Sequence, residues 1–507
     1  MQTSIAATLA AAFSRHAERV ALYEGERAWL YPELDVQAGR LAAGLAQAGI
    51  AAGDRIAFLL TNRAELVLLY LACFRLGAVA VPLNVRLTGP ELAYVLNHSG
   101  ARLVVTQPDL YPALATARAE LELAGLYQVA GHCPAGVRDF AELFGAAPVP
   151  WQAVAAEAPA AILYTSGTTA RPKGVTHTGA SLFHAVANFV EASGLAGDDV
   201  VCGMLPMAHI FGFTLQLLAP LSVGATVAVL PRFEPEAVLD LLARRGVTHL
   251  YGLPAMFNGL ARAAGERPAA PRRLRYCLAG GDALPRAVSE AMEDRFGVAV
   301  HEGCGMTEVI PYALNRPGRE NRVGSIGPAM PGLTLRLVDA RGQAVADGEA
   351  GEVLVRGAAV MAGYWHDPAA TAEALEDGWL RTGDRARRDA DGYYWFVGRA
   401  KDIIVRGGSN ISPLEVEDAL YGHPAIAEAA VVGVPDAELG ERVRAFVALK
   451  PGHGVDAATL LAHAAPRLAA YKLPESIIFL TELPKGLTGK VQRRALRDWR
   501  DGPAPSR

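Results

Sequence analysis

The chain has 507 residues, of which 51% are hydrophobic and 20% charged, and its formal net charge is −4. This composition is typical of a globular protein with roughly two to four structural units, and it excludes an intrinsically disordered chain. The balanced charge offers no basic surface for nucleic acid, and five scattered cysteines without a CxxC pair exclude a disulfide framework, so we expect a reducing, cytoplasmic environment.

The first half of the chain predicts alternating helices and strands. Residues 1–13 are apolar at helical spacing and lack the basic start of a signal peptide, so we expect an ordinary first helix. Apolar runs of strand length then alternate with helix-length segments. Examples in chain order are strand Arg55–Leu60, helix Ala64–Leu76 and strands Ala78–Pro82, Arg102–Thr106 and Ala161–Tyr164. This alternation predicts an α/β fold of βαβ units, with doubly wound parallel sheets covered by helices on both faces.

Residues 211–230 carry no charge and are long enough to cross a bilayer. The segment nevertheless contains Pro220 and Gly224 and ends in a β-branched run, Thr226–Leu230. A buried helix, a turn and a core strand explain these features better than a membrane span, so we predict no integral membrane segment.

The pattern of elements changes after about Gly324. Short strands separated by Gly and Asp turns predict a small β-barrel-like unit, at Gly332–Val338, Gly351–Arg356 and Tyr393–Val397. The last hundred or so residues return to an α+β pattern, with helices at Pro413–Tyr421 and Thr459–Pro466 and strands at Glu428–Val434 and Ala445–Leu449. We therefore predict a large N-terminal domain over residues 1–398, a hinge at 399–402 and a small C-terminal domain over 403–507.

A segment after the strand Ala161–Tyr164 combines hydroxyls, glycine and one lysine, in a chain that otherwise uses arginine almost everywhere. Its candidate phosphate ligands are Thr165, Ser166, Gly167, Thr168, Thr169 and Lys173. Hydroxyls donate to phosphate oxygens, glycine lets the backbone approach, and lysine supplies a compact charge. The spacing is not that of a Walker A loop. The segment therefore predicts a polyphosphate site of another kind.

This segment resembles the T-S-G-T-T-G-x-P-K-G loop of the acyl-adenylate-forming family, with Ala170 in place of the third glycine. That family comprises acyl- and aryl-CoA synthetases, nonribosomal peptide adenylation domains and beetle luciferases. Segments resembling its other motifs follow in order, at Leu205–Phe213, Leu278–Leu284, Glu302–Glu308, Gly378–Asp384, Gly398–Asp402 and Pro484–Val491. The resemblance covers almost the whole chain, and it implies that the small C-terminal domain is a mobile lid over an ATP and acid site.

The resemblance implies a role for each matching residue at the nucleotide. Adenine would run along Gly281, Asp282 and Ala283 and lie against Cys304, where the family usually has an aromatic side chain. The ribose would bind Asp384 and Arg399. The phosphates and Mg²⁺ would involve Lys173, Thr307 and Glu308, with Glu308 as the metal ligand.

On the lid, the resemblance implies three further functions. Lys490 would reach the adenylation site as a catalytic lysine, and Lys401 would be the hinge. Gly407 and Gly408 would line the tunnel for the pantetheine arm of coenzyme A. His209, on the large domain, would lie beside the substrate carboxylate and the phosphate.

These roles imply a two-step reaction. A carboxylate attacks the α-phosphate of ATP·Mg²⁺, pyrophosphate leaves, and the acyl-AMP is then attacked by the thiol of coenzyme A. Two anions must meet in the first step, so catalysis is mainly positioning and charge stabilisation. The lid would rotate about Lys401 between the two steps.

The identity of the acid stays open at this point. The residues expected to line the acyl pocket are apolar: Met207, Ile210, Phe211, Phe213, Tyr251, Met256, Phe257 and Met306. They include no arginine for a second carboxylate, and no aspartate follows His209 to pair with an amino group. A medium or long fatty acid fits best, and an aromatic acid is a close second.

The acceptor and the assembly also stay open. Free coenzyme A and a separate carrier protein both present a pantetheine thiol, so an acyl-AMP ligase is an alternative to a CoA synthetase. A catalytically silent nucleotide-binding relative is a further alternative, supported only by Cys304 and Ala170. The sequence is compatible with a homodimer but does not determine the oligomeric state.

Overall fold

The computed structural model describes residues 3–165, 171–265, 273–399, 402–436, 438–486 and 490–499. The predicted phosphate ligands Ser166, Gly167, Thr168 and Thr169 and the predicted hinge residue Lys401 lie outside these ranges. The described residues form four sheets, three of them before residue 400 and the fourth in the lid, which we define as residues 403–507. The fold is mixed α/β, with the large N-terminal and small C-terminal domains that the sequence predicted.

The first sheet has eight strands and forms one half of the large domain. In spatial order they are Val309–Leu314, Val300–Met306, Tyr276–Ala279, His249–Gly252, Val200–Gly203, Thr226–Val229, Val20–Glu24 and Arg27–Leu30. The central strands are parallel, but the pair at each edge is antiparallel. The all-parallel prediction missed these edges, since two residues connect Glu24 to Arg27 and so short a turn allows only an antiparallel hairpin.

The second sheet also has eight strands. In spatial order they are Gly363–Tyr364, Lys173–Thr178, Pro159–Thr165, Val79–Pro82, Arg55–Leu59, Ala101–Thr106, Gly125–Gln128 and Arg138–Asp139. Lys173–Thr178 returns antiparallel to Pro159–Thr165, so the predicted phosphate segment is the connection of a hairpin. Gly363–Tyr364 extends the same edge and brings a distant part of the chain beside this hairpin.

Helices pack on both sheets. The longer ones are Ile5–Arg15, Tyr31–Gln47, Ala64–Leu76, Gly89–Ser99, Gly179–Ser193, Pro235–Arg244, Pro254–Ala264 and Arg286–Phe296. The shorter helical segments of the large domain are Tyr111–Ala117, Arg118–Glu120, Phe140–Leu143, Gly212–Leu218, Ala219–Val223 and Pro368–Ala374. Ala64–Leu76 is apolar apart from Glu65 and Arg75 and is buried at every residue except Glu65, and it ends at Gly77 in the left-handed conformation.

The uncharged segment at residues 211–230 is a buried helix, a turn and a strand, as predicted. Its first part, Gly212–Leu218, is a π-helix, a wide form that is frequent at functional sites. Gln216 is buried there without penalty, since its Oε1 accepts from Leu205 N at 2.9 Å and its Nε2 donates to Tyr251 O at 2.6 Å. Across the described ranges, no helix combines the length and hydropathy that crossing a membrane requires.

The third sheet is antiparallel and corresponds to the predicted barrel-like unit. Its strands are Leu333–Val338, Ala350–Gly357, Trp379–Arg388, Leu375–Glu376 and Tyr394–Arg399. The lid contains the fourth sheet, with strands Ser409–Ile411, Ile404–Arg406, Gly440–Leu449, Ile426–Asp436 and Ser476–Leu480. Its helical segments are Pro413–Tyr421, Ala457–Ala464, Ala465–Arg467, Ala470–Lys472 and Arg493–Arg497. The lid packs around two small apolar cores of its own.

Candidate active site

A cleft of about 2620 Å³ lies between the large domain and the lid. Most of the residues that the sequence singled out meet at its walls. They are Thr165, Lys173, His209, Ile210, Phe211, Gly281, Asp282, Ala283, Cys304, Met306, Thr307, Glu308, Asp384, Arg399 and Lys490. Motifs more than 300 residues apart in the chain therefore face one space.

Several predicted residues lie elsewhere. Met207 and Tyr251 are fully buried and, like Met256, do not line the cleft. Tyr251 packs edge-on against Phe189, with ring centroids 5.4 Å apart, so its ring lies between the sheet and a helix. Gly407 and Gly408 form the left-handed turn between two lid strands, outside the cleft lining.

The two ends of the phosphate hairpin are held in register. Thr165 lies opposite Lys173 in the antiparallel pair. Helix Gly89–Ser99 braces both stems: Tyr94 Oη donates to Pro172 O at 3.2 Å, and His98 Nδ1 lies 2.8 Å from Tyr164 Oη. Lys173 Nζ lies 4.9 Å from the ring centroid of Tyr364, within the range of a cation–π contact.

Thr307 and Glu308 are buried at the end of the strand Val300–Met306. Tyr364 Oη donates to Glu308 Oε1 at 2.7 Å, and burial raises the pKa of this carboxyl. His177 Nε2 donates to the Thr307 carbonyl at 2.7 Å. Burial lowers the pKa of His177 to about 4, so this support comes from a neutral imidazole at neutral pH.

Asp384 lies at the centre of a second buried network of polar side chains. Tyr312 Oη is 2.9 Å from both Asp384 Oδ2 and Cys304 Sγ. The single hydroxyl proton goes to the carboxylate, the stronger acceptor. Burial raises the pKa of Cys304 to about 12, so its protonated thiol can donate to Tyr312 in turn. Arg399 Nε lies 3.1 Å from Asp384 Oδ1, which accepts no hydrogen bond from the described residues.

Lys490 brings a positive charge from the lid into the cleft. Its Cε lies 3.4 Å from the position that a Cβ on Gly281 would occupy. Burial lowers the pKa of Lys490, and Arg399 adds to this effect. His209 is close enough for the charge of Lys490 to act on it, and burial together with that charge lowers the pKa of His209 to about 4. The lid thus lies closed over the large domain.

Comparison with known proteins agrees with this geometry. The family model described as AMP-binding enzyme matches residues 9–365, and the model described as AMP-binding enzyme C-terminal domain matches residues 415–490. The chain belongs to the AMP-binding enzyme family. The two matches cover the large domain and the lid, the two parts that enclose the cleft.

Individual members of this family are similar over nearly their whole length. The feruloyl-CoA synthase of an Amycolatopsis species is 38% identical over 489 residues, covering 96% of each chain. The sulfoacetate–CoA ligase of Cupriavidus necator is 38% identical over 472 residues, covering 91% of each. The crystal structure of a benzoate CoA ligase from Burkholderia xenovorans LB400 superposes with a TM-score of 0.90 at 31% identity, covering 98% of this chain and 100% of that one. This AMP-binding enzyme is an AMP-forming acid–thiol ligase that uses ATP and coenzyme A.

The residues of this AMP-binding enzyme fit ATP and a metal ion that arrives with it. Asp384 Oδ1 is a buried oxygen that is ion-paired with Arg399 but receives no well-directed hydrogen bond from the described residues, so it can still accept from a ribose hydroxyl. Glu308 offers one buried carboxylate beside Thr307, and no group of three or more ligating side chains occurs among the described residues. One carboxylate suits Mg²⁺, which is usually held by one or two carboxylates together with substrate phosphates.

Sequence reasoning missed four residues that shape this site of the AMP-binding enzyme: His177, Glu302, Tyr312 and Tyr364. Glu302 accepts hydrogen bonds from two separate loops, and the other three contact Thr307, Asp384 and Glu308 directly. Their partners lie 18 to 130 residues away in the chain. No local pattern signals such contacts, because only the pairing of distant strands creates them.

Proposed function

We propose that this ligase activates an aromatic carboxylic acid as its acyl-AMP and transfers it to coenzyme A. The observation that supports this choice is which of the apolar residues line the cleft. Phe211, Leu215 and Ile310 line it, whereas Phe213 and Tyr251, which were also expected to contact the acid, are fully buried and outside the lining. A long fatty chain would need a channel past these residues, so the alternative expected from sequence, an aromatic acid, is the better fit.

Phe211 sets the depth of this acid pocket in our proposal. A Cβ built on Gly280 would lie 3.1 Å from Phe211 Cε1, so the ring lies against a glycine that leaves room for it. Leu253, Met306 and Pro311 also line the cleft, and all three are apolar. An apolar pocket bounded by a phenylalanine ring suits an aromatic acid.

Two relatives support the same class of acid by their names. The feruloyl-CoA synthase and the benzoate CoA ligase are named for aromatic acids, whereas the sulfoacetate–CoA ligase is named for a small acid. All three names fit a compact acid better than a long chain.

In the first step we assign the charge stabilisation to the cations at the cleft. Lys490 and Lys173 offset the negative charge that builds up as the carboxylate oxygen attacks the α-phosphate. Thr307 donates to a phosphate oxygen, and Glu308 holds the Mg²⁺ that accompanies the triphosphate. His209 is neutral and can donate to the incoming carboxylate without adding charge.

In the second step the thiolate of coenzyme A attacks the acyl carbonyl, and AMP leaves. Asp384 and Arg399 hold the ribose throughout, since both belong to strands of the large domain. Lys490 has no role in this step, and we propose that the lid turns to bring Gly407 and Gly408 to the pantetheine arm.

Pyrophosphate release with ATP·Mg²⁺ tests the proposal across benzoate, cinnamate, short and long fatty acids and dicarboxylates, with and without coenzyme A. We expect turnover with an aromatic acid only when coenzyme A is added. A preference for fatty acids of ten or more carbons would contradict the aromatic assignment. Release that stops near one equivalent despite coenzyme A would indicate a carrier-protein acceptor instead.

The variant Phe211→Ala makes the test specific to the pocket. It should raise the kcat/KM for larger acids relative to that for smaller acids by about tenfold, because it removes the ring that limits the depth of the proposed acid pocket. Phe183→Ala is the matched control, since Phe183 lies on helix Gly179–Ser193 and does not line the cleft. An unchanged ratio in Phe211→Ala would place the acid elsewhere.

A further inference from the structure

Glu302 is a buried carboxylate in the cleft wall to which the reaction assigns no role. It lies on the strand Val300–Met306, two residues before Cys304, and its residue is 7% exposed. Both carboxylate oxygens are occupied. Oε1 accepts from Leu284 N at 3.2 Å, and Oε2 accepts from Gly324 N at 2.8 Å.

The two donors belong to separate segments of the chain, both of which line the cleft. Leu284 directly follows Gly281, Asp282 and Ala283, the segment expected along the adenine, and begins the approach to helix Arg286–Phe296. Gly324 lies in the turn that leads into the antiparallel sheet, where Ile326 N donates to Tyr394 O at 2.9 Å. One side chain thus connects two loops that are 40 residues apart in sequence.

The strand beneath is itself fixed, so the carboxylate is a firm anchor. Asn315 N donates to Glu302 O at 2.9 Å, and Asn315 Nδ2 donates to Ser325 O at 2.6 Å, next to Gly324. Burial raises the pKa of Glu302 to about 7, and the two N–H donors oppose this rise, as expected of groups that bind the ionised form.

The lid contacts the same segment, residues 281–284, at its other end. Lys490 Cε passes over Gly281, three residues before Leu284. Asp418 of helix Pro413–Tyr421 is close enough to act on Glu302 through its charge. The segment 281–284 is therefore held by Glu302 at Leu284 and contacted by the lid at Gly281.

We propose that Glu302 is a positioning residue for the nucleotide, whose carboxylate sets the separation of the 281–284 segment and the Gly324 turn before ATP binds. This inference rests on the placement of adenine along residues 281–283. A carboxylate suits this place because it offers one acceptor oxygen to each of two N–H donors that approach it from different segments. A glutamine offers one oxygen, and its NH₂ group faces the second donor.

The test compares Glu302→Gln with Glu290→Gln, the same substitution at an exposed position of the neighbouring helix. We expect Glu302→Gln to raise the KM for ATP by about tenfold, because one buried donor loses its acceptor. The KM values for the acid and coenzyme A and the kcat at saturating ATP should change little. Glu302→Asp keeps both oxygens on a side chain one carbon shorter and should give a smaller rise.

The pattern of constants decides the outcome. A fall in kcat with an unchanged KM for ATP, or values equal to those of Glu290→Gln, would overturn the inference. Asp384→Asn, measured in parallel, reports on the nucleotide site itself. If Asp384→Asn raises the KM for ATP and Glu302→Gln does not, only the role of Glu302 fails. If neither variant changes it, the placement of the nucleotide fails, and the role of Glu302 with it.

Discussion

The two sides of the cleft differ in how their charged groups are held. On the large domain, Asp384, Glu308 and Glu302 are nearly inaccessible, and each is tied to a side chain or backbone donor from a distant strand or loop. On the lid, Gly486 N donates to Lys490 O at 2.7 Å and Gln492 N donates to Pro484 O at 2.8 Å, so the backbone on either side of Lys490 is held within the lid. In the mechanism that we propose, the groups of the large domain would hold the ligand through both steps, and the charge that the lid carries would serve only the first.

The segment that follows Lys490 is anchored to the lid, and one hydrogen bond, from Arg86 Nη1 to Gly486 O at 3.4 Å, links the turn before it to the large domain. Arg493 pairs with Glu417 and donates to Val431 O at 2.9 Å, which ties the segment after Lys490 to the core of the lid. Across the domain boundary, Ser412 Oγ donates to Val397 O at 2.5 Å. A lid attached in this way can move as a unit, with Lys490 moving along with it.

The largest effect is expected from Lys490→Ala, which should impair only the first of the two half-reactions. Lys490→Ala should lower pyrophosphate release about a thousandfold, because it removes the mobile positive charge from the first step. Conversion of supplied acyl-AMP to the thioester should be close to that of the unmodified enzyme. Lys450→Ala, a lysine of the same lid outside the cleft lining, is the control. Equal losses in both half-reactions would contradict this mechanism.

Asp384→Asn should give a smaller loss that is shared by both half-reactions. The substitution keeps the shape but removes the charge that pairs with Arg399 at 3.1 Å. We expect kcat/KM to fall about a hundredfold with ATP and with acyl-AMP alike, since charge-assisted bonds to a ribose would be lost in each case. Rapid-quench assays of the separate steps measure this. A loss confined to the first step would mean that Asp384 does not hold the nucleotide afterwards.

Gly281→Ala probes the place where the two sides touch. A Cβ there would lie 2.9 Å from Leu253 Cδ2 and 3.4 Å from Lys490 Cε, at a φ of +89°. The added methyl should displace Lys490 and lower adenylation about tenfold, with less effect on the thioester step. Gly297→Ala is the matched control, since its φ is +66° and nothing lies within 4 Å. Equal effects from both variants would indicate backbone strain alone.

The smallest expected effect concerns the pH dependence of stability. The pKa of His177 is about 4 in the folded state against 6.5 for the free side chain, so the unfolded chain binds a proton first as the pH falls. The stability contributed by this group is complete above pH 6.5 and is lost toward pH 4. When the pH falls from 7 to 5.5, the unfolding free energy of His177→Gln should decrease by about 1.2 kcal/mol less than that of the unmodified enzyme.

Urea unfolding at the two pH values measures this difference. Glutamine can still donate to the Thr307 carbonyl, so the variant should remain folded. His132→Gln, at an exposed histidine, should leave the pH dependence unchanged. If His177→Gln has the same acid sensitivity as the unmodified enzyme, His177 is not the source of the proton uptake.

Much of the fold could be predicted from local patterns. Helix Ala64–Leu76 and strand Arg55–Leu59 were predicted to within one residue, because a long run of mostly apolar residues and a short apolar run are both recognised from consecutive residues. The antiparallel edges of the sheets were missed, since strand direction depends on how a turn connects two elements. The π-helical form of Gly212–Leu218 could not be predicted from the pattern of apolar residues either, because it differs from an α-helix in which backbone groups are hydrogen-bonded.

The candidate site divides in the same way. Thr307 and Glu308, adjacent in sequence, and Thr165 and Lys173, at the ends of one hairpin, could be named from motifs, because chemistry that needs neighbouring groups leaves a local pattern. Tyr251 was predicted for the acid pocket, but its ring faces helix Gly179–Ser193 and not the cleft. Alternate residues of a buried strand face opposite sides, and the sequence of an entirely apolar strand does not say which side faces the ligand.

The sequence by itself determined the α/β class, the family and the candidate residues for phosphate, ribose and carboxylate, since these follow from short runs and their order. Only the tertiary structure decided how those residues are held. Tyr312 on Asp384, Tyr364 on Glu308 and Glu302 between two loops are contacts across 18 to 72 residues of chain. Such contacts depend on strand order and register, which are set by the packing of the whole domain and leave no signal at either residue.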